Sequence, residues 1–199
     1  AELSYRKAIE IKPDFAEAHS NLGSILKDIG KSKEAELSQR KAIEINPNLA
    51  DAHFNLGNTL ELMGQLEEAK THWTKAVELK PKEERPVIAL AHYLCYEHKY
   101  ELALKYLSKN ESNSCQSLYL DCLLSMDKEK DFTEKYKELS EKKACNADIG
   151  GVVEHANIIY GNKYESPFCN QAINYVFIDK INEELLSKNH LKDLISYNK

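Results

Sequence analysis

The chain has 199 residues, a formal net charge of −5, 7 glycines and 5 prolines. Its mildly acidic balance and lack of a long basic block argue against nucleic acid as a partner. No apolar run approaches the ~18 residues that a membrane-spanning helix requires, and sparse glycine and proline beside abundant Ala, Leu, Glu and Lys favour an all-α chain.

From Ala1 the pattern AELSYRKAIE predicts a helix that stops before Pro13, because proline cannot continue the hydrogen-bond ladder. A second helix, through AEAHSNLGSIL, is expected to stop at a turn marked by Gly30, a helix-stop residue. These pieces then recur. AELSYRKAIEIKPDFAEAHSNLG (1–23) returns as AELSQRKAIEINPNLADAHFNLG (35–57), and Pro13, Pro47 and Pro81 stand 34 residues apart. Ala1, Ala35, Ala69 and Ala103 keep the period, as do Ala8, Ala42 and Ala76. Gly23 and Gly57 keep it with Ala91 in the third copy, where Asn110 replaces the last alanine. Small residues at Gly23 with Ala35, and at Gly57 with Ala69, predict close approach of two antiparallel helices. A glycine inside a helix costs roughly 1 kcal/mol against alanine and so needs a packing reason.

This pattern resembles the tetratricopeptide (TPR) repeat: copy two reads His53, Leu56-Gly57, Leu60, Ala69, Trp73, Ala76, Pro81, and copy one differs mainly in Gln39 at the second aromatic position. The resemblance covers about residues 1–81. It implies an all-α, right-handed superhelical solenoid of antiparallel helical hairpins. Residues 1–110 are assigned to the array: a partial repeat at 1–15, repeats at 16–49 and 50–83, and a degenerate one at 84–110. Residues 111–161 read as a degenerate hairpin (helices near 115–127 and 131–143) and a capping helix near 148–160. Residues 162–199 read as a linker with a short strand at 175–178 and a helix at 182–197, the start of a further domain. Because Ala1 falls in the second helix of a repeat, a larger protein is expected on both sides, and the apolar flank so exposed offers a route to self-association.

The first helices of such a stack line a concave groove, and positions i, i+4, i+7 and i+11 face it. That register selects Glu17, Asn21, Ser24 and Asp28 in repeat one and Asp51, Asn55 and Asn58 in repeat two. In repeat three it selects Arg85, His92 and Tyr96, with Ala89 at the asparagine position. Mid-helix asparagine is a poor helix former and calls for a reason. The amides of Asn21 and Asn55 offer a donor and an acceptor to the backbone of an extended peptide; the alternative is solvation or a bond to a neighbouring helix. AEAHSNLGSIL is similar to the repeats of protein O-GlcNAc transferases, a resemblance that implies an asparagine ladder at these two positions only. Glu17, Asp28 and Asp51 would favour a basic peptide stretch. Glu17 and Ser20 stand where basic residues would clamp a terminal carboxylate, which argues against that mode. His19 and His53 read as helix-interface residues, and His92, Tyr93, Tyr96 and His98 as a cluster on one helix.

Catalytic motifs are missing: no H-E-x-x-H, G-x-S-x-G, phosphate loop or G-x-G-x-x-G, and no His begins an H-x-D/E pair. The expected function is therefore a protein–protein interaction module, not an enzyme in itself, with a protein or peptide partner and no cofactor or metal. Residues 155–181 resemble the segment that precedes a 2-oxoglutarate/iron dioxygenase domain in some bacterial repeat proteins. The alternative is thus a substrate-recruiting arm of a dioxygenase or glycosyltransferase whose catalytic part lies beyond Lys199. Five cysteines (95, 115, 122, 145 and 169) are odd in number and scattered. They favour reduced thiols in a cytoplasm over a disulfide framework.

Overall fold

A computed structural model of the chain describes residues 1–142, 147–161, 163 and 164. The chain divides into two compact units, Ala1–Glu138 and Leu139–Lys199. The described residues form ten α-helices and no strand.

In the first unit, α1 (Glu2–Ile11) precedes three hairpins: α2 (Ala16–Asp28) with α3 (Ser32–Ile45), α4 (Ala50–Leu62) with α5 (Leu66–Leu79), and α6 (Glu84–Tyr96) with α7 (Tyr100–Leu107). The starts of α2, α4 and α6 are 34 residues apart, as are those of α3, α5 and α7. Each proline lies two residues past a second helix, so 13, 47 and 81 punctuate the array as the spacing predicts. The turn inside each hairpin needs a left-handed residue. Gly30 (φ 80°) and Gly64 (φ 77°) provide it at no steric cost. In the third hairpin His98 takes the same place at φ 56°. His98 is thus a turn residue beyond the end of α6, not a member of the helix with His92, Tyr93 and Tyr96.

The core of the first unit runs along the seam between first and second helices. Leu56, Leu60, Trp73, Val87, Leu90, Leu94 and Leu107 are all almost wholly buried, each stabilising by about 1.5–3 kcal/mol. Trp73 packs across to Tyr93 of the next repeat, with ring centroids 6.3 Å apart. A second, salt-bridged seam joins successive second helices. Arg6 bonds Glu2 on its own helix and Glu34 on α3 (3.4 Å); one period on, Arg40 bonds Glu36 and Glu68 on α5 (2.6 Å). In the next period Thr74 and Leu102 replace the pair.

The regular spacing fails after α7, and the structure supplies the reason. α7 has 8 residues where α3 and α5 have 14. Asn110, in the column of Ala42 and Ala76, lies beyond it and is buried as a joint: its Nδ2 donates to the Lys82 carbonyl (3.1 Å) and its Oδ1 accepts from Ser112 N–H (3.0 Å). Ser112 then caps α8 (Asn113–Ser125), accepting from Cys115 N–H. That helix starts at Asn113, where a 34-residue step from Glu84 would put it at Leu118. α9 (Glu129–Glu141) follows a turn at Asp127 (φ 54°), so both expected helices near 115–127 and 131–143 are present, shifted by two residues. In the second unit α10 (Ala147–Tyr160) closes at Gly161 (φ 85°). Asn157 there holds Tyr164 through both its amide groups. The expected strand at 175–178 and helix at 182–197 lie outside the described residues.

Candidate functional site

The candidate surface is the face presented by α2, α4 and α6. Its residues divide into those engaged within the protein and those open to solvent. Asn21 is exposed on α2, and its side chain has no hydrogen-bond partner among the described residues. Asn55, one period later on α4, is half-buried, and its Nδ2 donates to Ser20 Oγ on α2 (3.2 Å). Ser20 is itself buried. Asn55 thus couples neighbouring first helices, and its Oδ1 has no hydrogen-bond partner among the described residues.

Asn58 and Ser24 occupy the next position of the register. Asn58 Oδ1 accepts the Trp73 indole N–H at 2.9 Å, which satisfies a buried donor that would otherwise be costly. Its first duty is thus to the core. Ser24, at the same place in repeat one, faces a repeat with Gln39 instead of tryptophan. Gln39 is wholly buried, and neither of its amide atoms has a partner among the described residues.

Charge on this face is largely compensated. Asp51 takes Lys80 at 2.9 Å and Arg85 at 3.5 Å. Arg85 also bonds Glu83 (2.8 Å) and lies 5.2 Å over the ring of Phe54, tying α6 to α4. Asp28, the last residue of α2, pairs with Lys27. Glu17 stays exposed without an ion pair among the described residues. The acidic character expected of Asp51 is therefore neutralised, which removes most of the reason to favour a basic peptide. His92 and Tyr96 are exposed, Tyr96 at 72% of its surface. Tyr93 is buried, and its hydroxyl donates to Glu67; that bond pushes the phenol up to about 12 and holds the Glu67 carboxyl below its ordinary value.

The histidines at the first signature position are structural, as expected. His19 Nε2–H donates to the Pro13 carbonyl (2.9 Å) and His53 Nε2–H to that of Pro47 (3.0 Å), so each pins a first helix to the proline turn before it. With its Nε2 protonated, neutral His53 accepts through Nδ1 from His72 Nδ1–H on α5 (3.0 Å). Burial, then the nearness of His53 and Arg40, pushes the His72 pKa down. The His53–Pro47 bond was legible only as a recurring histidine; the His72 partner sits at a position where repeat one has Ser38, so no repeat signal marks it.

Among the described residues no group of three or more His, Cys, Asp or Glu side chains is placed to hold a metal ion. No described helix is long and apolar enough to cross a membrane.

Comparison with known proteins places the chain. Residues 3–30 match a TPR repeat model and residues 39–71 a tetratricopeptide repeat model. No curated protein matches significantly. Among solved structures, YrrB, a TPR protein with an unusual peptide-binding site, is similar at 20% identity and a TM-score of 0.64, with 84% of this chain and 89% of that one covered. Pseudomonas aeruginosa pilF is similar at 22% identity and a TM-score of 0.65, covering 80% of this chain and 75% of that one. The O-GlcNAc transferase of Thermobaculum terrenum is 31% identical with a TM-score of 0.50; the match covers 54% of this chain but 22% of the transferase. The first two likenesses carry the fold, a helical-hairpin solenoid.

Proposed function

The chain is a tetratricopeptide-repeat protein, and on that premise we propose that it takes an extended peptide segment of a partner protein along the face of α2, α4 and α6. TPR solenoids generally serve as protein-interaction modules, whose stacked repeats present an extended concave surface. The observation that carries the finer reading is the amide register itself: Asn21 on α2 and, one period on, Asn55 on α4, whose Oδ1 has no protein partner among the described residues although its Nδ2 bonds Ser20. An amide pairs with a peptide bond whatever side chain that peptide carries. Tyr96 and His92 extend the same face with one aromatic and one imidazole ring, and Ser24, Arg85 and Glu17 border it. Compensation of Asp51 by Lys80 and Arg85 supports recognition of backbone over charge.

Selection of a displayed peptide library on the full chain, followed by calorimetry on the winning peptide, tests this. Asn21→Ala should weaken binding about 3- to 10-fold, the value of one net hydrogen bond, with no loss of thermal stability. Unchanged affinity would remove Asn21 from the site.

A second reading has one observation of its own: the 31% identity to an O-GlcNAc transferase. In that reading the repeats recruit substrate for a catalytic domain beyond Lys199, a glycosyltransferase or, from the resemblance of 155–181, a dioxygenase. The coding sequence that follows Lys199 discriminates. An H-x-D…H set favours the dioxygenase, a glycosyltransferase domain favours the transferase, and neither dismisses the reading.

A further inference from the structure

Cys95, at the C-terminal end of α6, and Cys122, on α8, bring their sulfurs to 3.2 Å of each other. They come from different hairpins, and α6 packs directly against α8 within the first unit. Cys122 is wholly buried in the core of that unit, whereas Cys95 is half-buried at its edge. Cys115, also on α8, is buried in the same core, with its backbone N–H held by Ser112. A disulfide needs its sulfurs about 2.05 Å apart, so closing this pair takes roughly 1 Å of motion between two side chains already in contact.

We propose that Cys95 and Cys122 form a reversible disulfide that clamps α6 to α8 when the protein meets a peroxide. Cys95 is the attacking thiol: it alone of the two reaches solvent. The hydrogen bond between the two sulfurs lowers the Cys95 pKa, and the same bond, with burial, raises that of Cys122. The Cys95 thiolate, its proton shed to solvent, attacks one oxygen of hydrogen peroxide; the S–O bond forms, the O–O bond breaks, and the departing hydroxide takes up a proton from solvent, leaving a neutral sulfenic acid and water. Cys122 sulfur then attacks the Cys95 sulfur, the S–S bond forms, and the S–O bond breaks. The departing hydroxide leaves as water with the Cys122 proton. Two thiols are oxidised and one peroxide is reduced to two waters.

The bond would enclose α7 and Asn110, the stretch in which the regular repeat spacing fails. Oxidation would therefore fix the one joint of the first unit that the repeat architecture leaves irregular. It would stiffen the Tyr96 end of the candidate groove without touching Asn21 or Asn55.

The test uses the reduced full chain, treated with stoichiometric hydrogen peroxide, alkylated and mapped by mass spectrometry. The expected result is the loss of two hydrogens, a linked peptide pair carrying Cys95 and Cys122, and reversal by dithiothreitol. The oxidised protein should melt about 3–10 °C above the reduced one. Cys95→Ser, at the more exposed position, should fold normally and abolish both the link and the shift; Cys122→Ala provides the second arm. Overoxidation of Cys95 with no link to Cys122 would overturn the proposal. So would a mass loss that survives Cys95→Ser, which would place the bond among other cysteines.

Discussion

The backbone of Gly57 lies so close to the indole of Trp73 that a Cβ on the glycine would stand 2.5 Å from both Cδ1 and Nε1. The same column holds Gly23 against Gln39 in repeat one, where a Cβ would stand 2.5 Å from Gln39 Cγ. In repeat three it holds Ala91 and Leu107, both wholly buried. Glycine accompanies the longer side chain, tryptophan or glutamine, and alanine the shorter leucine.

Gly57→Ala should therefore destabilise the protein by about 1–3 kcal/mol through overpacking, even though alanine is the better helix former by roughly 1 kcal/mol. In a Trp73→Leu background the same change should cost much less, since it recreates the third repeat. A urea double-mutant cycle reads the coupling; additive effects would mean that the glycine is not there for the indole.

Gln39 gives the opposite sign. Its amide is fully buried with neither polar atom partnered among the described residues, so it forgoes water for nothing in return. Gln39→Leu, the residue of the third repeat, should stabilise by about 1–3 kcal/mol. Equilibrium urea unfolding measures it, and a lowered midpoint would show that the amide has a partner in solution.

The His53–His72 contact sets a pH dependence. Burial and the neighbouring His53 and Arg40 depress the His72 pKa below its ordinary 6.5, so the unfolded chain binds the proton first as pH falls. The stabilisation from keeping His72 neutral is complete above pH 6.5 and is lost as pH drops towards the depressed folded value. Thermal melts between pH 7.5 and about 5 should show a decline of a few degrees that is smaller in His72→Ser. Identical pH profiles for the two proteins would refute the linkage.

Asn55→Ala should lower stability by about 0.5–1.5 kcal/mol, because it removes the bond to buried Ser20. Asn21→Ala should leave stability unchanged or slightly raised, alanine being the better helix former. Separate melts of the two single variants decide this before any binding experiment on the pair can be interpreted.

The periodicity announced the hairpins, the proline punctuation and the glycine turns, since each follows from local backbone chemistry repeated at a fixed spacing. The array became illegible at Asn110 because the sequence there stops encoding a long helix and encodes a buried joint instead. That joint depends on carbonyls and amides brought together only by folding. The candidate groove was legible as a register and not as a set of partners. Asn21 and Asn55 look equivalent in sequence, yet Asn55 reaches back 35 residues to Ser20 on the preceding first helix, a tertiary bond that the register of asparagines does not announce. Cys95 and Cys122 carried no spacing signal at all, because their meeting depends on the shortened α7.

The Arg6–Glu34 and Arg40–Glu68 bridges give the chain an interchangeable connector. The unit 16–49 carries both the acid, Glu34, that receives the arginine before it and the arginine, Arg40, that reaches the acid after it. A tandem copy of residues 16–49 spliced in after Leu49 would arrive with matching fittings on both sides. The array can thus lengthen by duplication without redesign at that point, whereas Thr74 and Leu102 offer no fitting to an insertion one period later.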